Sequence, residues 1–279
     1  MKRLIPLLWL FSFTIASPGQ AFFLTVIQEN GQGFGKRGEE LSWLIFRSEP
    51  FAGVIYDLKA PKARVFSPNG DVKPLPLRRT KVFDHLRGQK RYAWRTFFLP
   101  DRTGDYFLVF ETEPTLVPGL GEVWQEWVKV PLHVTPGQNW RKDLGLKVEI
   151  VPLTQPYGLE AGAVFCGRLL LEGKPLPHTL IQIVTYHGRY LSPDTLPKNT
   201  WGQRENARMY HQVVTDELGY FTASLNKRGW WLVSARIPYG NYKIGGLTFP
   251  LFLRASLWLY VFPPYNPPEN APRVQADPK

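Results

Sequence analysis

The feature that most constrains the fold of this chain is its density of residues that interrupt helices. Proline contributes 26 and glycine 24 of the 279 residues. Both are unfavourable inside helices and mark turns, and no segment beyond residue 21 repeats its apolar residues at a helical period. Short runs of aromatic and branched apolar residues lie between these turns. The sequence therefore predicts an all-β fold.

Strand spacing indicates two β-sandwich domains. We expect an N-terminal sandwich over residues 22–135, a linker over 136–145 and a C-terminal Greek-key sandwich over 146–262. In the first, Gly104-Asp105-Tyr106 leads into an alternating strand, which is typical of immunoglobulin-like sandwiches. In the second, about seven strands recur with turns every 8–12 residues. Trp230 and Trp231 should face opposite sides of their strand, so at least one of them belongs to a core or an interface.

Residues 1–21 have the pattern of a secretory signal peptide. Lys2 and Arg3 precede an apolar stretch, and Gly19 and Ala21 are small residues at the −3 and −1 positions of a cut after Ala21. We expect a periplasmic mature chain that starts at Phe22. An uncleaved membrane anchor is the alternative.

The C-terminal part of the chain predicts a strand followed by a tail. The apolar stretch from Leu247 to Phe262 is interrupted by Pro250 and Arg254, and it is too short for a comfortable transmembrane helix. The large β-forming residues at its end, Leu257 to Phe262, predict a buried or edge strand. The proline-rich, polar residues 263–279 predict a disordered or extended tail.

Several function classes lack their motifs. The single cysteine, Cys166, excludes a disulfide scaffold or a CxxC site, and its apolar neighbours predict a buried thiol. The formal net charge of +11 is diffuse and does not predict nucleic-acid binding, although basic clusters of the first domain leave peripheral contact with anionic lipid open. No catalytic triad, nucleophile elbow or metal–water motif is present, so we expect no enzymatic activity.

A resemblance to a known family covers nearly the whole mature chain. Residues 144–159 (LGLKVEIVPLTQPYGL) resemble a segment of secreted bacterial proteins that occur with nickel and cobalt uptake transporters. The GKP segment at Gly173, the TDELG segment at Thr215 and the GWW segment at Gly229 follow in the order that this family shows. These three segments are less specific, because transthyretin-like and carboxypeptidase-regulatory-like modules share them.

The resemblance implies two sandwich domains outside the membrane, immunoglobulin-like or transthyretin-like, and a role in handling Ni²⁺ or Co²⁺ for a membrane transporter. Many members carry one histidine directly after the cleavage site and another in a Gly-His-Pro-Phe segment. This chain has Phe22 and Glu49 at those positions. Phenylalanine cannot bind metal, and a carboxylate suits harder ions better than an imidazole does.

Three residues are the candidate metal ligands: Glu49, His187 and His211. Glu49 occupies the position that the family marks, and Asp57 is the acidic residue that could meet it at one end of the first sandwich. His187 and His211 bracket a long insertion between two strands, where a binding loop would lie. No HxH, HxxxH or HExxH pattern supports them, and two exposed loop carboxylates with incidental histidines remain the alternative. His133 lies in a predicted strand of alternating residues, and we expect it to be a hydrogen-bonded structural residue.

Three functions are therefore open. The first is an extracytoplasmic accessory protein of nickel or cobalt uptake that binds the metal or presents it to a transporter. The second is an envelope protein-interaction module that has lost the metal with the two histidines. The third is a glycan-binding sandwich with Trp124, Trp127, Trp140 and Trp201 as an aromatic platform.

Overall fold

The structure is a computed structural model that describes residues 22–49, 54–117, 119–137, 139–186 and 210–266. Regular structure in these ranges consists of twenty strands, numbered β1–β20 along the chain, so the predicted all-β sandwich fold class is confirmed. No helix that is long and apolar enough to cross a membrane occurs among the described residues.

The first outer sheet contains five strands of the N-terminal half. Their order is β1-β3-β8-β7, with β4 paired to β3. The bounds are β1 Phe23–Gln28, β3 Leu41–Glu49, β4 Val54–Tyr56, β7 Leu77–Asp84 and β8 Gln89–Phe98.

The central sheet contains eleven strands from both halves of the chain. Its main order is β17-β16-β19-β20-β11-β9-β5-β6, with β10 and β2 beside β11 and β13 beside β20. The bounds are β2 Phe34–Gly35, β5 Lys62–Phe66, β6 Val72–Pro74, β9 Gly104–Glu111, β10 Thr115–Val117, β11 Glu122–Val134, β13 Leu159–Glu160, β16 Leu180–Tyr186, β17 Tyr210–Val214, β19 Gly229–Ile244 and β20 Leu247–Phe262.

The second outer sheet contains four strands of the C-terminal half, in the order β12-β14-β15 with β18 paired to β14. The bounds are β12 Val148–Pro152, β14 Ala163–Leu171, β15 Lys174–Pro175 and β18 Tyr220–Leu225.

Each face of the central sheet carries a hydrophobic core. In β20, Leu257 and Leu259 belong to the core shared with the second outer sheet, whereas Trp258 belongs to the core shared with the first. Trp231 and Trp230 divide between the two cores in the same way, as the sequence predicts. Strands buried on both faces read as continuous apolar runs, which explains the composition of β19 and β20.

The two halves of the chain meet inside the central sheet. Strand β11 of the first half pairs in parallel with β20 of the second, in a register that runs from Val123 opposite Leu251 to Lys129 opposite Leu257. The predicted boundaries at 135/136 and 145/146 fall in a stretch without strands, between β11 and β12. The division into two domains stays a prediction, and the hydrogen bonds of this sheet cross it.

A buried ion pair and a ring stack join the halves near this stretch. The Lys129 ammonium on β11 forms a fully buried ion pair with Glu149 on β12, and burial lowers the pKa of Lys129 and raises that of Glu149. Nδ1 of His133 lies 2.6 Å from a carboxylate oxygen of Asp105, and its ring stacks on Tyr157 at 3.9 Å. His133 is therefore the hydrogen-bonded structural residue that the sequence predicts.

Tyr106 closes a tyrosine corner at the start of β9. Its hydroxyl lies 2.9 Å from the Arg102 carbonyl oxygen and 3.1 Å from the Arg102 amide nitrogen, four residues upstream. The side chain is fully buried. This contact is a feature of immunoglobulin-like sandwiches and agrees with the Gly-Asp-Tyr pattern of the sequence.

Candidate functional site

The candidate site lies where the described chain begins. Phe23 of β1 pairs with Ser48 of β3 in antiparallel register, so Phe22, the residue before β1, lies beside Glu49, the last residue of β3. The two positions at which the resemblance places histidines are therefore neighbours, although 27 residues separate them along the chain. Cleavage after Ala21 would place a new α-amino group beside the Glu49 carboxyl.

Glu49 is half-buried at the end of its strand. Burial raises the pKa of its carboxyl, because a carboxylate loses hydration there. Among the described residues, desolvation is the one cause of this shift. A positive group placed at this point would therefore be stabilised by the carboxylate.

A buried salt-bridge cluster fixes the backbone of the first residues. An oxygen of Glu126 accepts a hydrogen bond from the Leu24 amide at 2.9 Å, and Arg254 donates one to the Phe22 carbonyl. Arg254 lies 3.9 Å and Arg47 3.5 Å from carboxylate oxygens of Glu126. Burial lowers the pKa of Arg254 to about 10, yet the side chain stays protonated at neutral pH.

Aromatic rings complete the enclosure of this cluster. The Arg254 guanidinium lies 4.4 Å from the ring centre of Phe23 and 4.1 Å from that of Trp124. The rings of Phe22 and Tyr56 meet edge to face at 4.2 Å. Both the side chain and the backbone of Phe22 are thus held in a defined position.

Of the other candidate ligands, the described one, His211, is not brought to this end. His211 pairs with Ile183, whose side chain belongs to the core under the second outer sheet, whereas Glu49 lies in the first outer sheet on the opposite side of the central sheet. His187 falls outside the described residues. Asp57 accepts hydrogen bonds from Arg91 and from the Tyr92 amide, so its carboxylate is occupied by β8. No group of three metal-ligating side chains occurs within the described ranges.

The predicted aromatic platform is also divided. Trp124 and Trp127 are buried at 4% and 5% exposure, so neither offers a ring to a glycan. Trp124 donates to Glu122 and packs against arginine side chains instead. Trp201 lies outside the described residues.

Sequence reasoning missed Arg47, Glu126 and Arg254 as members of one cluster. The available signal was the presence of single charges inside otherwise apolar strand runs, as in VWQEWV around Glu126 and LFLRASLW around Arg254. A charge in such a run must find a partner when the strand is buried. The identity of that partner depended on strands 128 residues apart, which no local pattern shows.

Three of the solved structures that match this chain are bacterial proteins. α-2-macroglobulin from Salmonella is 15% identical over 92% of this chain and 16% of its own, with a TM-score of 0.26. Trypsin-activated α-2-macroglobulin from Escherichia coli is 12% identical over 88% of this chain and 16% of its own, with a TM-score of 0.26. A DUF4785 family protein from Legionella pneumophila is 13% identical over 77% of this chain and 52% of its own, with a TM-score of 0.28. The chain thus spans about a sixth of the macroglobulins.

No curated protein matches this sequence. A family profile described as a domain of unknown function matches residues 11–238, which is most of the chain. The chain is therefore a member of the DUF4198 family, a family whose function is not established.

Proposed function

We propose that this chain is a non-enzymatic, extracytoplasmic accessory protein of nickel or cobalt uptake, which binds the ion at its mature N-terminus or presents it to a membrane transporter. The observation that carries the proposal is the β1–β3 pairing, which sets residue 22 beside Glu49. The two positions that the resemblance marks for metal lie together in this fold. The sequence resemblance supplies the identity of the metal.

This end of the protein offers a metal ion one nitrogen ligand and one oxygen ligand. A deprotonated α-amino group of Phe22 would replace an imidazole as the nitrogen donor, and Glu49 would supply a carboxylate oxygen. Nickel and cobalt accept both donor types, with nitrogen preferred. The remaining coordination positions would stay with water or a small ligand, which suits weak binding and transfer to a transporter.

A second candidate function is an envelope interaction module without metal. Two observations favour it: the absence of a three-ligand group among the described residues, and the arginines that surround Glu126 close to Glu49. In this case the α-ammonium of Phe22 would form an ion pair with Glu49 and no cation would bind. The same experiment separates the two candidates.

The test is isothermal titration of the exported, untagged protein with Ni²⁺ and Co²⁺ at pH 7.5. N-terminal sequencing first checks that the chain starts at Phe22. We expect one ion per chain with micromolar or tighter affinity. The variant Glu49→Gln should lose binding, and so should a chain with two extra residues before Phe22, because the amine then moves away from the carboxylate.

Glu39→Gln is the matched control, since it removes an exposed carboxylate of the same half and should leave the titration unchanged. The absence of heat with both metals would support the second candidate and overturn the first. Binding that survives both Glu49→Gln and the N-terminal extension would overturn the assignment of the ion to this end.

A further inference from the structure

A cavity of about 410 Å³ opens between the first outer sheet and the central sheet. Its walls include Arg47 of β3, Arg79 of β7, and Tyr92 and Trp94 of β8, together with Lys59 from the connection that follows β4. Trp94 packs against the core, and Arg79 lies directly opposite it on the neighbouring strand. The inner face of the first outer sheet thus continues beyond the core and changes there from apolar to basic and aromatic.

The cations of this cavity exceed its available anions. Neither Lys59 nor Arg79 forms an ion pair with any described residue, whereas the carboxylate of Asp57 is held by Arg91 at 3.2 Å and by the Tyr92 amide at 2.7 Å. Glu113 at the rim is the other lining carboxylate. Two cations without an ion pair, Lys59 and Arg79, therefore face one unengaged carboxylate, and Arg47 pairs with Glu126 outside the lining.

Arg47 brings an incompletely satisfied guanidinium to the same cavity. Its side chain is 12% exposed, and its contact with Glu126 is long, at 3.5 Å. Its Nε is buried and has no hydrogen-bond partner. A buried N–H of a charged group without an acceptor is unfavourable, and a shift of the side chain towards an anion in the cavity would relieve this cost.

Contacts of the aromatic side chains fix the positions of groups that line the cavity. The Arg79 guanidinium lies 3.7 Å from the ring centre of Tyr92, which restricts its rotamers. Trp94 is fixed by a hydrogen bond of 2.9 Å from its indole nitrogen to the Leu58 carbonyl. Both rings stand on the cavity side of β8, because residues two apart share a face.

We propose that this cavity binds a sugar-sized organic anion, a single ring that carries one carboxylate or phosphate group. Arg79 and Arg47 hold the anionic group, since guanidinium forks match carboxylate and phosphate oxygens. Lys59 adds charge at the mouth, and the ring of the ligand lies against Tyr92 and Trp94. The volume is within the range of small-molecule sites. This proposal does not depend on metal binding at Phe22 and Glu49.

The test is titration of the mature protein in metal-free, low-salt buffer with three probes: galacturonate, glucose 6-phosphate and neutral methyl galactoside. We expect at least one of the two anions to bind with 1:1 stoichiometry and the neutral sugar to give no heat. The two anions distinguish a carboxylate ligand from a phosphate ligand. Arg79→Gln should weaken binding at least about tenfold, since it removes a charge-assisted contact.

Arg78→Gln is the matched control. Arg78 is the neighbour of Arg79 on β7 but lies on the opposite face of the sheet, with its guanidinium 5.0 Å from the Phe97 ring centre. This variant should bind as the parent protein does. Lys59 is exposed and lies outside the strands. Lys59→Gln therefore gives a second test of the basic cavity without disturbing a strand. The absence of binding by both anions, or equal losses in Arg78→Gln and Arg79→Gln, would overturn the proposal.

Discussion

At the scale of the residue, isolated charges inside apolar strands determine how the backbone at Phe22 and Leu24 is held. Arg254 and Glu126 are both almost completely buried. A buried ion pair adds little net stability over an apolar pair, but a single charge left without its partner is strongly unfavourable. The cluster therefore specifies a position for Phe22 and Leu24, whose backbone groups complete its hydrogen bonds.

Arg254→Met should lower the free energy of unfolding by about 3–5 kcal/mol, because it removes the more deeply buried of the two cations that pair with Glu126. The double variant Glu126→Gln/Arg254→Met should lose less, since glutamine can still accept the Leu24 hydrogen bond and the one charge left in the cluster, Arg47, is the most exposed of the three. Urea denaturation of the two variants measures the difference. Arg236→Met, in a half-exposed pair with Glu122, should cost no more than about 1 kcal/mol. A double variant less stable than Arg254→Met would contradict this account.

Tyr106 gives a pH-dependent prediction. Burial raises the pKa of its phenol to about 12, so the folded state favours the protonated form. The corresponding stability is present below pH 10 and is lost as the pH rises from 10 towards 12, by at most about 3 kcal/mol. Tyr106→Phe should cost about 1–2 kcal/mol at pH 7, from the lost hydrogen bonds, and should reduce the alkaline loss.

Denaturation at pH 7 and across pH 9–12 measures both effects of Tyr106→Phe. The 38% exposed Tyr242 provides the control, because Tyr242→Phe should keep the parent's alkaline slope. An unchanged slope in Tyr106→Phe would show that other groups, such as Tyr157, account for the alkaline loss.

At the scale of the element, the alternation of apolar and polar residues predicted single strands well. It did not indicate which strands pair with each other. The opposite faces of Trp230 and Trp231 followed from the period of a strand alone. The predicted burial of Cys166 was wrong: the side chain is half-buried, because the outer face of β14 is open to solvent and its neighbour Val164 is 55% exposed. Apolar neighbours in sequence therefore did not show which side of the sheet was covered.

The parallel pairing of β11 with β20 lay beyond sequence reasoning for a different reason. Trp127 lies opposite Ala255, 128 residues away, and parallel pairs carry no short turn that would mark them. The candidate site depends on this pairing, since it brings Arg254 next to Glu126. The sequence could predict Glu49 as a site residue from the resemblance, but it could not predict the cluster around it.

At the scale of the whole molecule, the central sheet makes each half depend on the other. Strand β11 would become an edge if β20 were removed, and a long apolar edge exposes unpaired backbone groups. The first-half core also contains Leu232 and Trp258 of the second half. The indole nitrogen of Trp258 donates to the Leu24 carbonyl at 3.1 Å, which links β20 to β1 across the layers.

We therefore expect the two halves to unfold together. The chain has one cysteine, so a dye on Cys166 reports on the second half, and a dye on Arg78→Cys in a Cys166→Ser background reports on the first. The two thermal midpoints should coincide with each other and with the loss of far-ultraviolet circular dichroism. Trp258→Ala should destabilise the fold by about 3–5 kcal/mol and lower both midpoints equally, because its cavity lies in a core built from both halves. Two separate midpoints, or a shift confined to one dye, would instead show two independent domains joined by the 136–145 linker.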